Sequence, residues 1–313
     1  FFFKQKTAYE ISTRDWSSDV CSSDLNTWRT CLTPTPTCPM SHHATSNPDW
    51  HGWLCDTLAR LREPWPTRWP GLPVVLDACA MQLWRDAEPA SEDAQHMLSL
   101  ARAMTALIET RNAPMPIEPH YHNRLHTADA LVSVCGLLRV LQAQGHDTPE
   151  TWMACLLLAV ASHDVQHPGG ANAFAQQLEH QSVQVFQELA QEHQLASVWI
   201  DRVSQLILRT DPTLVSANHD RVAGRAFVMD LDWSTVLMNE ADIFASATER
   251  FGPGLGHQLA DEWAWRELPM HKVVGTDEGR IHFLTSLRFS SPASRAMGMP
   301  ERVQTQLSQL RGH

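Results

Sequence analysis

Ser162-His163-Asp164-Val165-Gln166-His167-Pro168-Gly169-Gly170-Ala171-Asn172 follows directly on the apolar run Ala154 to Ala161. That run is apolar on every face, so it reads as a helix at the buried centre of the molecule. A His and an Asp stand at its end. A carboxylate there is costly to bury without a partner, and a divalent cation removes that cost. His167-Pro168-Gly169 ends the helix and lets backbone approach the pair.

Outward from this centre the pattern stays helical. Ser91-Glu92-Asp93 opens a helix with a capping residue and first-turn acids. Met97, Leu100, Ala101, Met104, Leu107 and Ile108 continue it at helical spacing. After a loop over 112–119, a helix runs from Arg124 to Gln144 and stops at Gly145. Thr148-Pro149-Glu150 opens the central helix, with Thr148 as cap and Pro149 at its first position. Further helices are expected over 172–193, 196–210, from Asp232 through Ile243, and over 257–268, 279–289 and 300–310. The Gly- and Pro-rich stretch 251–256 reads as a loop. No period-2 run and no internal repeat occurs, so the class is all-α, a compact multi-helix domain over 74–313. Residues 26–73 read as a disordered or loosely ordered lead. Within them Trp50, Trp53, Leu54, Leu58 and Leu61 have the spacing of a short amphipathic helix, and a Pro- and Trp-rich linker follows.

The 313 residues suffice for one large domain. Net charge is 24 minus 35, or −11, which argues against a general nucleic-acid or anionic-membrane surface. It leaves an anionic substrate open, because a bound cation can dominate the local field. No apolar stretch reaches the roughly 18 residues of a membrane span. Seven cysteines show no CxxC pair; Cys135 and Cys155 sit in apolar helical runs and read as small core residues. A cytoplasmic location is expected. The first 25 residues resemble the translated read-through of a sequencing adapter. Asp15, Asp19 and Asp24 interrupt them and they have no apolar h-region, against a targeting peptide. Met40 is the expected start.

A second dense stretch is His120-Tyr121-His122-Asn123-Arg124-Leu125-His126-Thr127-Ala128-Asp129. His122 and His126 share a face if the helix reaches back that far. Asp129 can accept from a ring nitrogen of His126 and so orient it. A set of surface histidines is the competing reading. Asp242 taken alone is a surface carboxylate, and Glu179 a solvated helix position.

In order, the motifs His-Tyr-His-Asn-x-x-His-x-x-Asp, His-Asp-x-x-His-Pro-Gly-x-x-Asn, Leu-Glu, Thr-Asp and Ala-Asp-Ile resemble the class I cyclic nucleotide phosphodiesterase catalytic domain, one of the HD-type metal-dependent phosphohydrolases. The resemblance spans about 90–295. It implies that His126, His163, Asp164 and Asp242 bind a first metal, zinc, with Asp164 bridging to a second, magnesium or manganese. It implies that His167, Glu179 and Thr210 orient metal waters, that a metal-bridging hydroxide attacks phosphorus, and that His122 is the general acid. The partner is then a small nucleotide; the oligomeric state stays open. Tyr121, Arg280 and Phe283 are expected to line the substrate. Arg280 stands where the family has a glutamine that reads the base, and arginine only donates. The Asn-Pro usual after Ala-Asp-Ile is replaced by Ala245-Ser246. The substrate reading is therefore a 3′,5′-cyclic nucleotide, with another phosphodiester or nucleotide as alternative. A ligand-sensing domain without turnover is the rival from another class.

Overall fold

A computed structural model describes residues 48–85 and 87–312. Among these residues there are fourteen α-helices and no strand. They are α1 (Trp50–Arg62), α2 (Leu72–Trp84), α3 (Glu92–Asn112), α4 (Arg124–Ala143), α5 (Glu150–Ser162), α6 (Gln177–Glu192) and α7 (Ser197–Leu208). Then come α8 (Val215–Arg221), α9 (Leu231–Ala247), α10 (Gly252–Trp265), α11 (His271–Val274), α12 (Asp277–Ser286), α13 (Pro292–Ala296) and α14 (Met299–Arg311). The all-α expectation holds.

The apolar helix is central, as its sequence requires. Every residue of α5 from Met153 to Ser162 is buried, and α3, α4, α7 and α9 pack around it. α4 is almost as enclosed, covered by α1, α2, α5, α9 and α13. The polar ends of these buried helices have nowhere to go but toward each other. The start of α4, the end of α5 and the last two turns of α9 meet, and the ligand-type side chains sit there.

Several expectations are corrected. The lead expected to be loose over 26–73 is ordered from residue 48 on: Leu54, Leu58 and Leu61 of α1 are at most 1% exposed and join the main core. The adapter-like segment 1–25, the stretch 26–47 and Met40 lie outside the described residues. The 251–256 stretch is not a loop, because α10 starts at Gly252 with Pro253 in its first turn, where proline lacks only an N–H that has no helical partner anyway. A Cβ on Gly252 would fall 2.4 Å from Ser246 O and 2.3 Å from the Arg280 guanidinium, so only glycine lets α10 begin there. α6 starts at Gln177 rather than 172. Pro149, not Thr148, is the N-cap of α5, and no side chain caps it.

Candidate active site

Asn123 sets the geometry of the first ligand stretch. Its Oδ1 accepts from Leu125 N at 2.9 Å and His126 N at 3.2 Å, capping α4. Its Nδ2 donates to Pro119 O and His120 O, both at 3.0 Å. The cap means that His122 is not on the helix and shares no face with His126; it lies in the loop before it. His126 in the first turn is 6% exposed.

Four side chains from three helices converge. His126 Nε2 lies 3.2 Å from Asp164 Oδ2 and 3.1 Å from Asp242 Oδ1. His163 Nε2 lies 3.3 Å and 3.4 Å from the same two atoms. His163 Nδ1 donates to Val160 O at 2.8 Å, which fixes the ring and leaves Nε2 buried without a hydrogen-bond partner. Two carboxylate oxygens and two imidazole nitrogens so close together repel unless a cation or protons stand among them. Burial works to lower His126, yet its hydrogen bonds to Asp164 and Asp242 raise it to about 9. His163 moves up likewise against its burial, chiefly through the charge of Asp164. Burial would raise Asp164 and Asp242, but the histidines hold both well below the usual carboxylate range. The cluster demands positive charge, and its donors, two imidazoles and two carboxylates, suit a first-row divalent cation. Among the described residues two sets have the mutual spacing such an ion needs, His126, His163 and Asp164 here and His122, His167 and Glu262 beside them.

A second group adjoins it. The His122 ring centroid is 5.6 Å from that of His126 and 3.7 Å from that of His167, stacked at 28°. Glu262 of α10, 0% exposed, holds His122 by both ends. Its Oε1 pairs with His122 Nδ1 at 2.5 Å. Its Oε2 accepts from Tyr121 N at 2.7 Å and His122 N at 2.9 Å. Those bonds keep Glu262 ionised although burial works the other way. Burial and then the charge of His122 lower His167 to about 3, so it is neutral, and its Nδ1 accepts from Gly169 N at 3.1 Å. Gly169 has φ +77°, and a Cβ there would press on Glu262 Cγ at 3.0 Å; the glycine lets the 167–170 loop lie against α10.

Other expected residues divide. Glu179, 9% exposed, accepts from Asn172 Nδ2 at 2.9 and 3.2 Å. Burial raises its carboxyl, and the charges of Asp211 and Asp164 add to this. Thr210 Oγ1 donates to Ile207 O at 2.7 Å, while its neighbour Asp211, 1% exposed, takes Gln176 N at 2.6 Å and Asn172 Nδ2 at 3.5 Å. Tyr121 joins the site: its ring lies 4.9 Å from that of His126, and its hydroxyl bonds Ser246 Oγ at 2.8 Å. Asp129 does not hydrogen-bond His126. It pairs with Arg62 of α1, and its other oxygen is buried without a partner. Arg280 is not brought to the cage. Its guanidinium bonds Ser246 O at 2.5 Å, Thr248 O at 3.1 Å and Gln306 Oε1 at 2.6 Å, capping α9, and lies over the Phe283 ring at 5.7 Å.

The described residues thus form an all-helical domain whose buried helix ends gather two imidazoles and two carboxylates beside a carboxylate-held histidine. The family model described as 3′5′-cyclic nucleotide phosphodiesterase matches residues 121–204, so that segment is similar to this family. The match covers less than half of the chain; it contains His122, His126, His163, Asp164 and Glu179 but neither Asp242 nor Glu262. Comparison with curated proteins gives no match.

Proposed function

We propose that the chain hydrolyses 3′,5′-cyclic nucleotides to 5′-nucleotides with divalent cations, zinc with magnesium or manganese. The single observation that carries this is the convergence of His126, His163, Asp164 and Asp242 on one point with His122 beside it. When bound, the cations supply a water of lowered pKa and neutralise charge on the phosphate. The chain's own groups do the rest. Glu262 accepts the Nδ1 proton of His122 and so stabilises the imidazolium. Nε2–H of His122 is then the proton for the leaving 3′-oxygen, a contribution of about 10²- to 10⁴-fold. His167, neutral and stacked on His122, limits the motion of that ring.

The four described cysteines are free and buried, which supports a reducing, cytoplasmic setting. Among the described residues no helix is long and apolar enough to cross a membrane.

A second reading keeps the chemistry and changes the substrate to another phosphodiester or nucleotide. The engagement of Arg280 with the end of α9 favours it, since a base-reading side chain is then missing at that position. Purified protein with Mn²⁺ or Mg²⁺ should convert cyclic AMP or cyclic GMP to the 5′-nucleotide and lose the activity in chelator. Activity on other phosphoesters alone supports the second reading. Binding of cyclic nucleotides without turnover under all metals would leave a sensing domain.

A further inference from the structure

The turn after α8, the start of α9 and the segment 288–295 enclose a second cavity of about 640 Å³, and none of the cage residues lines it. Part of its wall is aromatic: Trp233 is 4% exposed and Phe289 8%. His219, 2% exposed, also lines it. Its Nδ1 meets Ser290 Oγ at 2.8 Å, and its Nε2 has no hydrogen-bond partner. Arg288 bonds Asp220, a carboxylate that also lines the cavity and offsets its charge, and Ser216 O through Nη1 alone, so Nε and Nη2 keep their protons to give. Arg295 is exposed on the same cavity and its side chain bonds to none of the described residues. Arg225, also on the wall, is already tied to Asp230 and Asp232 and adds little to the balance.

A concave site of this size with aromatic walls and a few converging donors is what a small ligand needs. The Arg295 guanidinium and the remaining donors of Arg288 select an anion, because each would form a charge-assisted bond. We propose that this cavity binds a small phosphate-bearing ligand with a planar apolar body, of the mononucleotide class. The phosphate lies between Arg295 and Arg288, and the ring lies against Trp233 and Phe289. Burial, then the charge of Arg288, lower His219 to about 4.

The test is calorimetric titration of the full, metal-loaded chain with 5′-AMP and, separately, inorganic phosphate. It reads binding alone, so its result does not depend on whether the chain turns over cyclic nucleotides. Arg295→Glu and Arg288→Ala should each weaken one class of 5′-AMP sites roughly tenfold or more, with melting temperature and turnover unchanged. That class should persist in Asp164→Ala, where the cation cage is broken. Loss of all 5′-AMP binding in Asp164→Ala, or binding indifferent to both arginine variants, would overturn the proposal. Inorganic phosphate should bind more weakly than 5′-AMP; equal affinity removes the aromatic part.

Discussion

At the residue scale the cage is a charge problem with two solutions, protons or a cation. His126 is raised to about 9, so without metal its contribution to stability is full below its unfolded pKa of about 6.5 and is lost as pH rises through 9. Asp164 and Asp242 are held low, so theirs is present above about pH 3.9 and lost as pH falls. Chelated protein should therefore melt highest between about pH 4 and 6.5 and lower toward pH 9. Added divalent cation should raise the melting temperature most at alkaline pH, where the imidazoles give up their protons to it. A pH-independent melting temperature in chelator would contradict this account. Asp164→Ala should abolish zinc content by elemental analysis, and retained zinc would count against the cage. Glu262→Gln removes the charge that stabilises the His122 imidazolium. Its turnover of a cyclic nucleotide should fall about 10²-fold, at the lower end of what a general acid supplies, and turnover of a nitrophenyl ester, whose leaving group needs no proton, should fall much less. Equal losses on both would remove the role from Glu262. His126, His163 and Asp164 were legible because dense ligand-type residues abut the most apolar run in the chain. Glu262 was not, because its partner is 140 residues away and Asp261-Glu262 looks like any solvated pair on an amphipathic helix.

At the scale of elements, helix ends decide the site. α9 delivers Asp242 little more than one turn from its C-terminus, and Arg280 holds that terminus through Ser246 O and Thr248 O, with Gln306 donating to Ala247 O at 2.9 Å. Four C-terminal carbonyls have no partner in any helix, and here a side chain from α12 supplies donors. Sequence alone aligned Arg280 with a base-reading position, since spacing says where a residue falls but not which way its side chain turns. Arg280→Gln separates the two roles. It should lower stability by roughly 1–3 kcal/mol through lost carbonyl partners, seen as an earlier melting transition, with KM for cyclic AMP and cyclic GMP moving together. A change in the ratio of the two KM values with unchanged melting would restore the substrate role. The helix start was legible where a capping residue stood out, as at Ser91, whose Oγ accepts from Ala94 N at 3.4 Å; the Asn123 cap of α4 was not. They were misread at Gly252, where close packing against Arg280 overrides the loop propensity of Gly and Pro.

At the scale of the molecule, α1 is part of the domain. It brings three leucines that are at most 1% exposed and the Arg62 guanidinium that meets the buried Asp129 on α4. Burial pushes the Asp129 carboxyl up, and Arg62 is the first group that opposes this. A chain begun at Glu63 would lose the burial of those leucines, together about 5–9 kcal/mol at 1.5–3 kcal/mol each. That is comparable to the whole stability of a typical domain, about 5–15 kcal/mol. Such a chain should be largely unfolded by circular dichroism, whereas one begun at Pro48 should melt as the full chain does; equal melting of the two would show α1 to be dispensable.

The distance along the chain between His122 and the carboxylate that grips it has a temporal side. As the polypeptide leaves the ribosome, the last of the four cation-binding groups, Asp242, emerges before Glu262. On the reading proposed above, a nascent chain would hold all four groups of the cage before it gains the carboxylate that grips His122.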